Sequence, residues 1–349
     1  MVDRRSRGAW RPAWTRWLMS GAALLGVATA VGLIWDAGFA RILHLMGVAG
    51  FGLLWLIPLR LVTVGLDTRG WRSLLKTRRQ ASWAILFWLG LVRDAVNTLL
   101  PVARVGGEVV AVRLLGLRGV KLSTASASVI VETSVTLVLQ ILLTLCGIMV
   151  LLPYLGAGPL LAQLFGALAL AVFVVAVFLV IQVRTGLVTI FDRVIKALTG
   201  RSRGLRLPLF RGLDQKVRIL YRQRGALLRC AAWQLFGFAG NAIEIFVMAQ
   251  LMRVSLSLAQ VFVFESLVQA IHSVSFVVPG AFGVQEGGFV LLGSAIGVSP
   301  DVALSLALGR RLRQVMMGLP VLASWQWFER RHRRSRLSEP VSELPAVSG

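Results

Sequence analysis

The sequence is short of acidic residues, cysteine and histidine. Its 349 residues include 15 Asp and Glu against 38 Lys and Arg, with two cysteines and three histidines. Charged residues make up 15% of the chain, whereas soluble domains usually contain about 25%. A hydrophobic content of 56% excludes a solvated, disordered chain. Together these values exclude the ordinary soluble classes and favour an α-helical membrane protein with basic loops.

Missing motifs narrow the function further. The chain has no phosphate-binding P-loop, no His-Glu-x-x-His motif and no Cys-x-x-Cys motif. Cys146 and Cys230 both lie in apolar runs, where cysteine behaves as a small hydrophobic residue. We therefore expect no disulfide framework, no metal, no cofactor and no ATP-driven chemistry by this chain. Because the basic residues are separated by long apolar runs, we expect no nucleic-acid partner.

Apolar runs predict an all-α polytopic protein with about eight transmembrane helices, each run being long enough to cross a hydrocarbon core of about 30 Å. The runs lie at about 17–35, 43–64, 82–100, 124–152, 160–182, 226–252, 257–278 and 302–328. Two further apolar segments, 101–121 and 279–299, are interrupted and are interpreted as broken or re-entrant helices. Their predicted structural breaks are Pro101, Gly106, Gly107, Pro279, Gly280 and Gly283. The predicted membrane domain is a single unit over 17–328.

The basic residues predict the orientation. Four stretches hold 26 of the 38 Lys and Arg residues: the arm 1–16, the loop 66–80, the loop 183–225 and the tail 329–349. The positive-inside rule places all four in the cytoplasm, together with both termini. This requires that each broken segment carries the chain across the membrane. If both segments turned back instead, 183–225 would lie outside.

An internal repeat connects the two broken segments. Pro101 is followed seven residues later by Glu108, and Pro279 is followed by Glu286 at the same spacing. The sequence offset that places Pro101 on Pro279 also pairs Glu132 with Arg310 and Asp94 with His272. The repeat units are predicted at about 82–152 and 257–328, with inverted topology. Inverted repeats with interrupted helices are typical of alternating-access transporters.

Six of the fifteen acidic residues fall within predicted membrane segments. Facing lipid, they would cost on the order of 15 to 20 kcal/mol in total, so we expect them to face cations or a polar cavity. The candidate cavity residues are Asp94, Asn97, Glu108, Arg113, Glu132, Glu265, His272, Glu286 and Arg310. The alternative is that such groups are only hydrogen-bonding contacts between helices. For His272, both a structural role and a proton relay stay open.

The two blocks resemble a known family. The pattern Asn97-x3-Pro101 followed by Gly106-Gly107-Glu108, with the later block Pro279-Gly280-x-x-Gly283-x-x-Glu286, resembles the flippase-like transmembrane family of lysylphosphatidylglycerol synthases over about 15–328. Arg113, Glu132 and Arg310 belong to the same likeness. Many members have an arginine just after the acid at the place of Glu132, where this chain has Thr133. This difference leaves Arg310 as a candidate partner of Glu132.

The resemblance implies movement of a polar-headed lipid between the leaflets of a bacterial inner membrane. Among free-standing members, the chain resembles the hopanoid-biosynthesis-associated type, which implies a polycyclic isoprenoid lipid or a lipid conjugate. The sequence shows no segment for a soluble aminoacyltransferase, so synthase activity is not expected.

Two other functions stay open. One is an integral-membrane lipid transferase that uses Glu108 as a general base. The other is a non-catalytic scaffold that recruits lipid-biosynthesis enzymes through its basic loop and tail. Membrane lipids are the expected partners in each case, and the sequence predicts no particular oligomeric state.

Overall fold

The computed structural model describes residues 39–75, 82–100, 106–155, 212–274 and 283–337, with isolated positions between 166 and 180. Throughout this part of the chain the regular structure is helical, which confirms the predicted all-α class. The helices are α1 (Phe39–Ala49), α2 (Leu56–Ser73), α3 (Trp83–Leu99), α4 (Gly106–Leu117), α5 (Leu122–Leu155), α6 (Leu213–Arg222), α7 (Arg224–Leu251), α8 (Leu258–Val263, Phe264–Val268 and Gln269–Val274), α9 (Val284–Ala295) and α10 (Pro300–Leu337).

Within the described residues, a 3-10 turn and a π-helical turn depart from regular α geometry. A 3-10 turn, Gly50–Trp55, joins α1 to α2. Helix α8 begins with a capping box in which the Ser257 side chain accepts a hydrogen bond from the backbone of Gln260. Its central turn, Phe264–Val268, is a π-helix. Single π turns inside α-helices are frequent at functional sites, and this one contains Glu265.

Three helical stretches in the described residues are long and apolar enough to cross a membrane: Ile42–Ser73, Leu122–Tyr154 and Arg224–Leu251. They correspond to the predicted runs at 43–64, 124–152 and 226–252. A shorter apolar helix covers Leu258–Ile271. The predicted number of eight is not confirmed, since the run at 17–35 and most of the run at 160–182 lie outside the described residues.

Two helices extend further than predicted. Helix α2 continues to Ser73, well into the predicted loop 66–80, and Trp71 near its end is buried and donates a hydrogen bond to Ser128 Oγ at 3.1 Å. Hydropathy placed the boundary too early because it counts Asp67 and Arg69 as loop residues, although α2 carries Asp67 into the bundle. Helix α10 likewise continues to Leu337, into the predicted tail.

The local structure repeats at the offset found in the sequence. Shifting the bounds of α4 by the offset between Pro101 and Pro279 gives the bounds of α9, and the same shift takes the start of α5 to the start of α10. Each short helix is followed by a glycine at positive φ, Gly119 at 85° and Gly297 at 76°. With 12 residues each, α4 and α9 span about 18 Å, less than a bilayer core of about 30 Å.

The predicted breaks lie at or before these short helices. Gly106 and Gly107 begin α4, and Gly283 immediately precedes α9. Pro101, Pro279 and Gly280 lie outside the described residues.

The two largest clusters of buried apolar residues in the described part of the chain form separate cores. The first core joins α3, α4 and the start of α5, and the second joins the end of α7 with α8, α9 and the start of α10. Members of the first core include Leu89, Leu114 and Val129, and members of the second core include Ile245, Phe289 and Leu304. The two short helices therefore belong to different cores.

The long helices connect the two cores and carry polar residues between them. Helix α2 runs from Leu56 in the second core to Trp71 in the first, whereas α5 runs from Val129 in the first core to Ile148 in the second. Helix α10 starts in the second core and later packs Val321 against the first. Helices α5 and α10 thus run in opposite directions, and the ionisable residues of each lie between the cores.

Close packing of α7 on α2 brings two polar helix faces together. Gly240 of α7 lies so near α2 that a Cβ atom there would be 2.7 Å from Thr63 Oγ1 and 3.5 Å from Thr63 Cβ. Threonine is β-branched and stiff at χ1, and Thr63 Oγ1 also donates to the Leu59 carbonyl. A side chain at position 240 would therefore force the two helices apart.

We predict that Gly240→Ala lowers the free energy of unfolding in detergent by about 1–3 kcal/mol, the usual cost of overpacking. Gly225→Ala is the matched control, because it lies on the same helix and a Cβ atom there meets nothing within 4 Å. The control should be neutral or slightly stabilising, since alanine is the better helix former. Thermal unfolding followed by size-exclusion chromatography measures both, and equal stability of the two variants would contradict the close contact.

Candidate functional site

A polar cavity of about 440 Å³ lies where α2, α3, α5 and α7 meet, between the two apolar cores. A smaller cavity of about 130 Å³ shares several of its residues and reaches α10. Ionisable side chains line both. The larger cavity has Arg60, Asp67, Arg93, Asp94, Glu108 and Glu132, and the smaller one adds Arg310 and Arg313. A polar cavity at this position lies near the middle of the membrane-spanning helices.

Arg93 on α3 is the central cation of the larger cavity. Its Nε donates to Glu108 Oε1 at 3.0 Å, and its Nη1 donates to Glu132 Oε2 at 2.5 Å. Gln234 of α7 donates to the other oxygen of Glu132 at 3.2 Å. The guanidinium also lies 5.9 Å from the centre of the Trp71 ring, at cation–π distance. One arginine therefore forms ion pairs with two carboxylates that come from different helices.

The contact between α3 and α4 depends on a glycine. Asn97 donates through Nδ2 to both oxygens of Glu108 at 3.2 Å, and its Oδ1 accepts a hydrogen bond from Gly107 N at 2.9 Å. A Cβ atom at position 107 would lie 2.5 Å from the Arg93 carbonyl oxygen and 2.7 Å from Asn97 Oδ1. Glycine at position 107 lets α4 approach closely enough for Glu108 to reach Arg93 and Asn97.

Arg60 links α2 to two other helices. Its Nη2 donates to Asp94 Oδ1 at 2.6 Å, and its Nη1 donates to Asn241 Oδ1 at 2.7 Å. The Arg60 side chain is 15% exposed, and that of Asp94 is 22% exposed. This partial exposure is toward the cavities, which both residues line.

Helix α10, in the second predicted repeat unit, carries two further buried arginines, one paired with α8 and one with α7. Arg310 of α10 donates to Glu265 Oε2 at 2.5 Å and lies 5.9 Å from the Phe289 ring centre. Arg313 Nε lies 2.8 Å from an oxygen of Glu244, although the two atoms are not aligned as a hydrogen bond. Both pairs are almost completely buried.

Glu286 has a different role from the cavity carboxylates. It accepts a hydrogen bond from Gly283 N at 2.8 Å and one from Arg311 at 3.2 Å. The first of these caps α9 behind Gly283, whose φ of 75° favours glycine. Glu286 does not line either cavity described above.

Equivalent positions of the two repeat units carry opposite charges. Glu132 and Arg310 are related by the repeat offset, and each pairs with the first helix of its own unit, Glu132 with Arg93 and Arg310 with Glu265. The prediction that Arg310 is the partner of Glu132 is therefore wrong. Arg93 is the partner of Glu132, because it projects from α3 between α4 and α5.

The structure brings most of the sequence-predicted residues together. Asp94, Asn97, Glu108, Glu132 and Arg310 line the cavities, and Glu265 lies directly behind Arg310. The His272 side chain lies outside the described part of the chain.

Arg113 lies apart from this cluster. It is 55% exposed and binds Glu329 at 2.9 Å, near the end of α10. The structure does not bring Arg113 to either of the two cavities described above. It lies on a different face of α4 from Gly107, which packs against α3.

Sequence reasoning missed Arg60 and Asp67. Both lie on α2, which the hydropathy boundary divided between a span and a loop. Their spacing of seven residues, two helical turns, was the available signal, since it places both on one face.

These helices and buried charges define a polytopic helical membrane protein with a polar cavity inside its bundle. The family profile described as "Lysylphosphatidylglycerol synthase TM region" matches residues 23–321. The chain therefore belongs to this family, which confirms the resemblance of the two blocks and indicates a lipid-related membrane protein. No curated protein matches the chain, and no solved structure matches it.

The buried pair between Arg310 and Glu265 gives a prediction on stability. Glu265→Leu leaves a buried guanidinium without its carboxylate and should cost about 3–5 kcal/mol. The double variant Glu265→Leu with Arg310→Met replaces the pair by apolar groups and should recover most of that loss. Unfolding in detergent measures both variants.

Arg113→Gln is the control, because it breaks an exposed pair and should cost at most about 1 kcal/mol. A double variant that is no more stable than Glu265→Leu would contradict the direct pairing. A large effect of the control would contradict the exposed position of Arg113.

Proposed function

We propose that the chain is a lipid translocase that moves a polar-headed lipid between the leaflets of a bacterial inner membrane. The observation that carries this proposal is the charged cavity between two apolar cores in a membrane-spanning bundle. A translocase needs a polar place at mid-depth for the headgroup, while the acyl or isoprenoid tails stay in the bilayer. The cavity offers such a place.

The stability of the fold does not explain why these charged residues are buried in the bundle. Buried ion pairs are often no more stabilising than apolar residues of similar size, and charged residues inside a membrane are costly wherever they face lipid. Among the residues that the structure describes, five arginines are nevertheless held in ion pairs inside the bundle: Arg60, Arg93, Arg310, Arg311 and Arg313. Their presence at such a cost favours contact with a polar ligand.

The directions of the helices support an inverted repeat. Helix α5 leads from the first core to the second, and its counterpart α10 leads from the second to the first. The short helices α4 and α9 pack into the first and second cores respectively. This is the relation that inverted topology requires, and transporters of this kind bind their substrates between the two units.

In the proposed cycle, each unit controls access from one side. The pair of Arg93 with Glu132 joins α3 to α5, and the pair of Arg310 with Glu265 joins α8 to α10. Separation of one pair opens the cavity toward one leaflet, and the headgroup then provides replacement hydrogen bonds for the separated groups. Rocking of the units exposes the same cavity to the other side.

The lipid and the membrane are part of the proposal. We propose a hopanoid or another isoprenoid or phospholipid conjugate as the substrate, with both termini in the cytoplasm. The transferase alternative has no comparable support, because Glu108, its candidate base, is held by Arg93 and Asn97. Formation of a lipid product by the purified chain would favour that alternative.

The inverted relation predicts the sidedness of two exposed loop residues. Lys121 and Ser299 follow α4 and α9 at the repeat offset, and both are exposed. In a background with Cys146→Ala and Cys230→Ala, Lys121→Cys should react with a membrane-impermeant maleimide only from the cytoplasmic side. Ser299→Cys should react only from the opposite side. Reaction of both from the same side would contradict the inverted topology.

Translocation itself is predicted to depend on the buried ion pair of the second unit. The probe is fluorescent phosphatidylglycerol in vesicles of phosphatidylethanolamine and phosphatidylglycerol, with dithionite bleaching the outer leaflet. The unmodified chain should make the inner-leaflet label accessible to dithionite. The double variant Glu265→Leu with Arg310→Met should leave the label protected, as in protein-free vesicles.

The matched control removes a different ion pair. Arg113→Gln with Glu329→Gln breaks the exposed pair away from the cavity, and it should translocate like the unmodified chain. Bleaching by the Glu265 and Arg310 double variant at the unmodified rate would show that the cavity charges have no role in lipid movement.

A further inference from the structure

Asp67 differs from the other carboxylates of the bundle. It lines both cavities, yet no basic group lies within 4.0 Å of its carboxylate among the described residues. It also has no hydrogen-bond partner in that part of the chain. An unpaired carboxylate inside a membrane bundle is costly, which makes Asp67 a functional candidate.

The charges of the cluster do not balance. In the described part of the chain, seven carboxylates (Asp67, Asp94, Glu108, Glu132, Glu244, Glu265 and Glu286) accompany five guanidiniums. Six carboxylates are in ion pairs, and Arg93 serves two of them. Protonation of any of these six would weaken an existing ion pair. Asp67 is the carboxylate that can take up a proton while every ion pair stays intact.

Charged groups surround Asp67 on every side of the cavity. Arg60 lies two turns earlier on the same helix, Arg93 and Asp94 lie on α3, and Glu132 lies on α5. Across the smaller cavity are Arg310 and Arg313 of α10, and Glu244 of α7 stands behind Arg313. Each of these neighbours has an ion-pair partner other than Asp67.

Asp67 also contacts α7, the helix that packs against α2. Its Oδ1 lies against Gly237 of α7, so closely that a Cβ atom there would collide with it. A change in the charge of Asp67 therefore acts directly on the packing between α2 and α7. That packing forms one wall of both cavities.

We propose that Asp67 is a proton-binding site that couples lipid translocation to the proton gradient. The proposal rests on the function proposed above. In one half of the cycle, a proton from water on the acidic side forms an O–H bond on the Asp67 carboxylate. In the other half, the same proton leaves to water on the opposite side, and the carboxylate is restored. No other group is oxidised, reduced or transferred.

The test compares the unmodified chain with Asp67→Asn in the fluorescent phosphatidylglycerol vesicles. Asp214→Asn on α6 is the matched control, because it lies outside the cavities. The rate of dithionite bleaching is measured with and without an imposed pH difference. The pH difference should raise the rate several-fold in the unmodified chain and in the control. In Asp67→Asn the two rates should be equal.

Infrared difference spectroscopy between acidic and alkaline pH supplies a readout independent of transport. The carbonyl band of a protonated carboxylic acid should be present in the unmodified chain and in Asp214→Asn, and it should be lost in Asp67→Asn. Retention of the full band in Asp67→Asn overturns the proposal. Two results with the unmodified chain would also overturn the proposal. One is a rate of lipid movement that is the same with and without the pH difference, and the other is a rate that depends on a sodium gradient instead.

These outcomes separate the two proposals. Lipid movement that is indifferent to pH leaves the translocase standing and removes the proton site. A carbonyl band that depends on Asp67, in a chain that moves no lipid, supports the proton site and overturns the translocase.

Discussion

The requirement that a charge inside the membrane has a partner determines how this bundle is assembled. Each buried arginine draws a carboxylate from another helix: Arg60 binds Asp94, Arg93 binds Glu108 and Glu132, and Arg310 binds Glu265. Because the desolvation of either group alone would cost several kcal/mol, these pairs specify which helices are neighbours. The apolar cores on either side give the stability, and the ion pairs select the arrangement.

Glycines make these pairings geometrically possible. Arg93 can reach Glu108 because Gly107 lets α4 approach the α3 backbone, and α7 can approach α2 because Gly237 and Gly240 have no side chains. In a soluble protein such contacts are driven by burial of apolar area. In a membrane the lipid tails are equally apolar, so close backbone approach and interhelical hydrogen bonds have to supply the specificity. Gly107, which interrupts the apolar segment 101–121, therefore also brings charged residues together.

Much of the fold could be predicted from the sequence, and the limits have physical causes. The prolines and glycines located the interrupted segments 101–121 and 279–299, within which α4 and α9 lie, because proline and glycine act through local backbone geometry. The acids at Glu108, Glu132 and Glu265 were recognisable because charge is rare in apolar runs. The partner of Glu132 was not predictable, since pairing depends on how α3 packs against α5. Asp67 was missed because a helix that buries charge has low hydropathy and looks like a loop.

The charge reversal between Glu132 and Arg310 has a consequence for the proposed cycle. Arg93 is paired with two carboxylates, which also accept hydrogen bonds from Asn97 and Gln234. Among the pairs described, Arg310 is paired with Glu265 alone. The first unit is thus tied together by more charge-assisted hydrogen bonds than the second, and such bonds are the stronger kind. A polar headgroup that competes for these charged groups therefore has fewer hydrogen bonds to displace at Arg310 and Glu265 than at Arg93. Under the proposed translocation, the cavity therefore opens more readily through the contact of α8 with α10, where the π-helical turn carries Glu265.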